Sequence, residues 1–370
     1  MSEQKTNGVL IIPAYNPTEK FVDFAVQTAE YFYDIIVVND GSKAECAPVF
    51  MAIEAKLGAR VHLLHHEQNQ GKGVALKTAF SYFQSSGLAD EYVGVITADC
   101  DGQHEIPDIL MLDEKLGEEH TRCMHIGHRD LNSKIMPFRS KFGNKLTAAC
   151  FSALYGVKMK DTQTGLRAFS ADIIDWLLEV KGERFEYEMN MLVHSRDGGI
   201  HLYEHPIATK YEEKHTSHYS TFRDSAKVAR VLFAPLVKYI FAALLAFGVD
   251  MGLFVLLSDV LLPVWGFGEL ATTILAATVG ARVISSVVNF LANRFVTFGG
   301  KRISMNSIWK YYLLWALQMA ASYGAVLGLT MLSGGDGEFW WKMGVDLALA
   351  IASYQVQMRW VFKRKKTKGE

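Results

Sequence analysis

Four long apolar runs close this chain, at 236–257, 270–291, 311–332 and 343–361. Each is long enough to cross roughly 30 Å of hydrocarbon at about 1.5 Å per residue. They tolerate some polar residues, which predicts a packed four-helix unit rather than isolated anchors. Basic residues flank only alternate ends. Arg223, Lys227, Arg230 and Lys238 precede or open the first run; Arg294, Lys301, Arg302 and Lys310 lie between the second and third; Lys363 to Lys366 follow the fourth. The other loops carry Asp259, Glu269, Asp336 and Glu338 with a single Lys342. The bias of Lys and Arg toward cytoplasmic loops puts both termini, and the hydrophilic half, on the cytoplasmic side of the plasma (inner) membrane. The ends of the second and fourth runs echo each other, Asn293-Arg294-Phe295-Val296 and Met358-Arg359-Trp360-Val361. Two similar interfacial anchors and a duplicated hairpin both account for this.

The composition changes near Ala229. Before it, short β-rich runs at Val9–Ala14, Ile35–Asn39, Val61–His65, Tyr92–Ala98 and Met124–Gly127 alternate with helix-length segments. Those segments are Glu19–Phe32, Cys46–Lys56, Val74–Gln84, Ile106–Leu116 and Phe138–Leu154. Such alternation predicts a mostly parallel sheet with helices on both faces. Ligands of such sheets bind beyond the carboxyl ends of the strands. The expected organisation is an α/β domain over 1–218, an amphipathic interfacial helix over 219–233, and an all-α membrane domain over 234–370. The interfacial helix has a basic side (Arg223, Lys227, Arg230) and an apolar one (Val228, Val231, Leu232), which suits an anionic lipid surface. A formal net charge of -1 gives no electrostatic case for nucleic acid. Four widely spaced cysteines and an N-terminus without an apolar core predict reduced thiols and no cleaved signal.

The sharpest polar motifs fall at the predicted strand ends. Asp99-Cys100-Asp101-Gly102-Gln103 offers two carboxylates and an amide oxygen, hard donors suited to Mg²⁺ or Mn²⁺ beside a diphosphate. A turn capping the next helix is the plainer reading. Pro13-Ala14-Tyr15-Asn16 sets an aromatic where a base could stack, and Asp40 could accept a hydrogen bond from a base imide. Asn69-Gln70-Gly71-Lys72-Gly73 opens a helix and could bring amides and Lys72 to phosphate. It lacks the spacing of a P-loop.

Taken in order, these motifs resemble family-two inverting glycosyltransferases of the GT-A fold, and among them the polyprenyl-phosphate sugar transferases related to dolichyl-phosphate mannose synthase. The likeness extends through Lys160-Asp161, Thr164-Gly165, Arg167-Ala168-Phe169, Ser217-His218-Tyr219 and Arg223-Asp224-Ser225. The last 140 residues or so resemble the GtrA-like four-helix family. Two positions depart from the pattern: Asn39 stands where many relatives have Asp, and Glu105 where dolichyl-type members often have Pro.

The resemblance implies transfer of a hexose from a nucleotide diphosphate-sugar to polyprenyl phosphate, with inversion, at the cytoplasmic membrane face. UDP-glucose is the first expected donor, then UDP-GlcNAc, UDP-galactose and GDP-mannose. It implies that Asp99, Asp101 and Gln103 hold the metal, and that Pro13, Tyr15, Asn16, Asp40, Lys72 and Asp99 line the nucleotide-sugar site. Arg129 and Arg139, grouped with Asp101 in the chemistry, correspond in position to acceptor-side arginines. Solvated surface charge is their plainer reading. Asp161, Thr164 and Arg167 form a polar turn that either shapes the acceptor pocket or holds an Asp161–Arg167 ion pair. Within the apolar runs, Asp250 and Arg282 are expensive in lipid and fall at similar depth, so they are expected to pair or to line a polar path. A homo-oligomer stays open. Two rivals stand beside this reading. A processive polysaccharide synthase would need a Gln-x-x-Arg-Trp signature, and neither Gln355 nor Gln357 has that spacing before Arg359-Trp360. A translocator of lipid-linked sugars would need no catalytic acids.

Overall fold

A computed structural model describes residues 6–130, 138–208, 223–261, 264, 266, 269–300, 302–333 and 338–362, the side chains of 138–140, 270 and 338–339 excepted. The chain divides into two compact units, Met1–Leu232 and Phe233–Glu370.

The first unit is built on seven strands: β1 (Gly8–Ala14), β2 (Ile35–Asp40), β3 (Val61–His66), β4 (Gly94–Thr97), β5 (Cys123–Arg129), β6 (Arg167–Ser170) and β7 (His201–Ile207). Their order is β3-β2-β1-β4-β6-β5-β7. β1 pairs in parallel with β2 and β4, and β2 with β3. β6 runs antiparallel to both β4 and β5, while β7 is parallel to β5. β1 is buried along its whole length, which is why it reads as a continuous apolar run rather than an alternating one. Pro13 is tolerated in this central strand because the register with β4 ends at Ile11↔Thr97, two residues earlier.

The helices of this unit's first 195 residues are α1 (Lys20–Ala29), α2 (Ala47–Leu57), α3 (Lys72–Ser85), α4 (Leu88–Glu91), α5 (Ile106–Glu118), α6 (Phe138–Tyr155), α7 (Ile174–Glu179) and α8 (Glu186–Ser195), of which α3, α6 and α8 matter for the site. One face of the sheet packs on a core that includes Leu10, Ile12, Phe21, Phe32, Ile35 and Val37. The five strands expected from sequence are present. β6 and β7 are additions: β6 is four residues long, too short for a period to show, and β7, His-Leu-Tyr-Glu-His-Pro-Ile at the sheet edge, has neither an apolar run nor a clean alternation.

In the second unit, three helices are long and apolar enough to cross a membrane, within 223–261, 271–297 and 305–332. The fourth expected run is a helix, Glu338–Val356, but Lys342, Asp346 and Gln355 lower its hydropathy. The interfacial segment and the first run form one helix, Arg223–Leu256, with Pro235 inside it. Membrane helices accommodate such a proline because neighbouring groups re-satisfy the freed carbonyl. The two echoing segments are both single π-helical turns, Asn293–Thr297 and Gln357–Val361. They are followed by Phe298 and Phe362, whose rings stack at 5.2 Å.

Candidate active site

β1 has β2 on one side and β4 on the other, so the loops leaving these three strands open a crevice at their carboxyl ends. Tyr15 and Asn16 leave β1, half-buried. Asn16 adopts φ 49°, a left-handed conformation that Asn tolerates. Its amide donates to Ser42 Oγ at 2.9 Å, and its Oδ1 accepts the Lys43 amide at 2.8 Å. Asn16 thereby ties the first loop to the second.

Asp40 ends β2 and is buried. Its Oδ1 accepts from His66 Nδ1 at 2.8 Å and the Gln70 amide at 2.9 Å. Its Oδ2 accepts from Asn69 Nδ2 at 2.9 Å and the Gly71 amide at 2.8 Å. An ionised carboxylate has about four lone-pair sites, so all are taken. The side chain assigned from sequence to a base imide is engaged instead in holding the loop before α3. Gly41 makes that approach possible: its φ is +63°, and a Cβ there would lie 2.1 Å from the Gln68 carbonyl carbon.

The loop so held delivers Lys72. Its Nζ lies 2.6 Å from Asp99 Oδ1 and 3.0 Å from Glu188 Oε1. Burial alone would lower the lysine's pKa, but the two carboxylates outweigh it and hold the ammonium above its ordinary range. Burial likewise opposes ionisation of Asp99, yet Lys72 and His104 keep its carboxyl well below the usual range. Cys100, between the two acids, is pushed up to about 12 by burial and by Asp101 and Asp99, so its thiol stays protonated at neutral pH.

Gly165 backs Asp99. A Cβ at this position would stand 2.4 Å from Asp99 Oδ2. Thr97 Oγ1 donates to the Gly165 carbonyl at 2.9 Å and fixes the turn against β4. Arg167, which follows, is fully buried. Its guanidinium donates to the main-chain oxygens of Thr164 (3.0 Å), Glu188 (3.0 Å) and Thr162 (3.4 Å). Burial lowers its pKa against the opposing pull of Glu188, Asp161 and Asp99. Arg167 therefore braces the turn that carries Glu188, from beneath the site. Thr164 is buried as well, its Oγ1 accepting the Leu166 amide.

Asp161 pairs with Arg129 rather than with Arg167. Arg129 Nε donates to Asp161 Oδ2 at 2.6 Å and Nη2 to Oδ1 at 3.1 Å, a bidentate fork. Burial raises the Asp161 pKa, but this fork outweighs it and the net shift is downward. Arg139 belongs to α6, and its side chain lies outside the described residues, as do Ser217, His218 and Tyr219.

Asp101 is exposed, and its Oδ1 accepts the Gln103 amide at 3.1 Å. Asp99, Asp101 and the Gln103 amide form a set of hard oxygen donors on one loop, and their chemistry fits a small divalent cation. No group of three or more His, Cys, Asp or Glu side chains that could hold a metal ion occurs among the described residues. His104 is buried beside these donors, its Nε2 3.4 Å from Asp99 Oδ2. Glu188 was not singled out from sequence, whereas Gly165 and His104 belong to matching motifs but carried no assigned role. The acidic pair Glu186 and Glu188 at a helix start was the one visible signal for the first.

In the second unit, Arg282 Nη2 lies 3.3 Å from Asp250 Oδ2, and Ser285 Oγ donates to Asp250 Oδ1 at 2.9 Å.

Residues 9–173 match glycosyl transferase family 2, and residues 238–362 match the GtrA/DPMS transmembrane domain. The chain is 30% identical over 222 residues to UDP-N-acetylglucosamine–dolichyl-phosphate N-acetylglucosaminyltransferase of Methanococcus voltae, covering 55% of this chain and 86% of that protein. It is 25% identical to a dolichyl-phosphate beta-glucosyltransferase of Drosophila melanogaster, covering 63% of this chain and 76% of that protein. Among solved structures, glucosyl-3-phosphoglycerate synthase from Mycobacterium tuberculosis is similar at 16% identity and a TM-score of 0.45, over 62% of this chain and 78% of that one. The chain belongs to glycosyl transferase family 2: it is a glycosyltransferase joined to a GtrA/DPMS transmembrane domain.

Proposed function

We propose that this enzyme transfers a hexose from a UDP-sugar, UDP-glucose first, to a polyprenyl phosphate at the cytoplasmic face of the membrane, with inversion. The observation that carries the reading is the Glu188–Lys72–Asp99 array beside Asp101 and Gln103, at the carboxyl ends of β1 and β4. A fixed ammonium among carboxylates, one exposed acid and a crevice-side aromatic suit a diphosphate donor. The names of the dolichyl-phosphate relatives support the acceptor. The relative from Methanococcus voltae favours UDP-GlcNAc as the second donor.

Mg²⁺ or Mn²⁺ would be held by Asp99, Asp101 and Gln103, and when bound it neutralises charge on the diphosphate leaving group. Lys72 stays protonated and supplies a fixed positive charge there. A phosphate acceptor is already ionised near pH 7, so its oxygen attacks the anomeric carbon without a strong general base. The protein's contribution is then position and preorganised charge. Arg129, clamped by Asp161, is proposed to meet the acceptor phosphate. Arg139 is proposed for the same task, Tyr15 for stacking on the base, and Asp40 for holding the loop that delivers Lys72. Both termini are proposed to be cytoplasmic, with the Glu338–Val356 helix as a fourth span.

The test uses the full chain in detergent, with undecaprenyl or dolichyl phosphate and a panel of labelled UDP- and GDP-sugars. Label should pass to the lipid phase only with a divalent cation. Asp101→Ala should lower transfer at least about 100-fold. No transfer from any common nucleotide-sugar overturns the reading, and transfer from UDP-GlcNAc alone replaces UDP-glucose.

A further inference from the structure

The sheet ends on β7, which has β5 as its one neighbour among the described strands. A strand hydrogen-bonded on one side only is the easiest part of a sheet to open. Its register with β5 runs from Cys123↔His201 to Arg129↔Ile207, so it borders the whole strand that ends in the Arg129–Asp161 fork. Residues two apart on a strand share a face. On one such face His125 stacks with Tyr203 at 5.1 Å and with His205 at 5.2 Å between ring centroids. His125 is buried and His205 half-buried.

The two imidazoles also meet through their nitrogens, His125 Nδ1 lying 3.0 Å from His205 Nε2. A second contact fixes where the hydrogens are. His125 Nε2 is 2.8 Å from the Glu119 carbonyl oxygen, which can only accept, so Nε2 carries a hydrogen. In the neutral ring Nδ1 is then an acceptor, and His205 donates to it from Nε2. One added proton suits this arrangement: it takes His205 Nδ1 and leaves the bond between the rings whole. A second must go to His125 Nδ1, where two N–H groups on two like charges would face each other at 3.0 Å. The pair therefore keeps its bond with one added proton and loses it with two.

The groups around the pair come from three elements. Lys115 and Glu118 of α5, with Glu119 after it, face the pair; β5 adds Cys123 and His128, and β7 adds Tyr203. Burial lowers the pKa of His125 against the pull of Glu119 and Glu118. Burial lowers that of His205 too, with His125, Lys115 and His128 acting in the same direction. Both folded values thus lie below the unfolded value of about 6.5. The stabilisation is complete above that value and is lost as pH falls through the folded ones.

We infer that His125 and His205 form a pH-sensitive latch that holds β7 to β5 at neutral pH and releases this edge of the sheet in mild acid. The latch acts whatever donor or acceptor the enzyme uses.

The experiment uses the full chain in detergent and reads amide hydrogen exchange by mass spectrometry at about pH 7.5 and about pH 5, on either side of the ordinary histidine pKa and corrected for the chemical exchange rate at each pH. Peptides of β7 should lose protection by about tenfold in acid, while peptides of β1 keep theirs. In His205→Gln the amide can donate to His125 Nδ1 or, turned over, accept from it, so β7 should be equally protected at both pH values. His128→Gln removes a histidine outside the pair, whose Nε2 lies 3.3 Å from Lys160 Nζ, and should keep the wild-type response. Size-exclusion profiles identical to wild type check both variants; if His205→Gln fails that check, the wild-type contrast between β7 and β1 decides. Equal protection of β7 at both pH values in wild type, a loss shared equally by β1, an undiminished acid loss in well-folded His205→Gln, or its disappearance in His128→Gln overturns the inference.

Discussion

Lys72 joins Asp99 to Glu188, with its ammonium 2.6 Å from one carboxylate and 3.0 Å from the other. The two acids come from the loop after β4 and from α8, far apart in sequence, and the lysine is what makes them one array. Glu188 sets how strongly Lys72 leans on Asp99. In Glu188→Gln, Lys72 should lean harder on Asp99 and compete with a divalent cation. The half-saturating Mn²⁺ concentration is expected to rise about tenfold, with a smaller change in kcat. Adding Lys72→Ala should give much less than the product of the two single effects, because the residues share one network. Calorimetric Mn²⁺ affinity equal to wild type in Glu188→Gln would remove Glu188 from this role.

Gly165 should be the least replaceable residue of its turn. Alanine at this position puts a methyl 2.4 Å from Asp99 Oδ2, so the carboxylate must move. A displacement of that order costs about 100-fold in rate when it misplaces a reacting array. Circular dichroism should be unchanged while kcat/KM falls. Full activity in Gly165→Ala would mean that Asp99 tolerates another position.

Asp40 is expected to act on the loop. Asparagine there cannot accept all four bonds, and a buried amide left unpaired costs about 1–3 kcal/mol. Hydrogen exchange at the Gln70 and Gly71 amides should accelerate in Asp40→Asn. Unchanged exchange with a raised KM for the nucleotide-sugar would instead favour the base contact.

The Arg129–Asp161 fork makes an acid-sensitive contribution to stability. Asp161 has a folded pKa below its unfolded value of about 3.9. Its stabilisation is therefore complete above that value and is lost as pH falls through the folded pKa. Asp161→Asn should remove this part of the acid dependence and break the buried fork, at a cost of about 3–5 kcal/mol. Thermal midpoints between neutral and acid pH read both effects; an unaltered acid limb in the variant would assign it to other groups.

Sequence was most informative where one strand and its following loop carry the whole message. Tyr15, Asp40 and Asp99 each follow a buried apolar run, so their placement at strand ends could be read directly. The supporting half of the site was hidden because its contacts are long-range. Gly165 meets Asp99 only because β6 runs antiparallel to β4, and four residues of strand announce no direction. Arg167 was read with Asp161 and Thr164 as a polar turn, either for the acceptor pocket or for an ion pair with Asp161, and its burial depends on three carbonyls that no motif encodes. Asp40 was placed correctly at its strand end, but its partners lie on the loop after β3. The second unit was legible as helices from hydropathy alone. Its paired charges needed depth as well as composition.

The strand order β3-β2-β1-β4-β6-β5-β7 also sets a schedule for assembly. A chain emerging from the ribosome can close β1 to β4 and seat Lys72 before Gly165, Arg167 and Glu188 have been made. Asp99 and Asp101 are thus presented early on a finished half-sheet, and Asp99 acquires its braces last. A nascent chain stopped before β6 would carry the visible motif without the means to hold it in place.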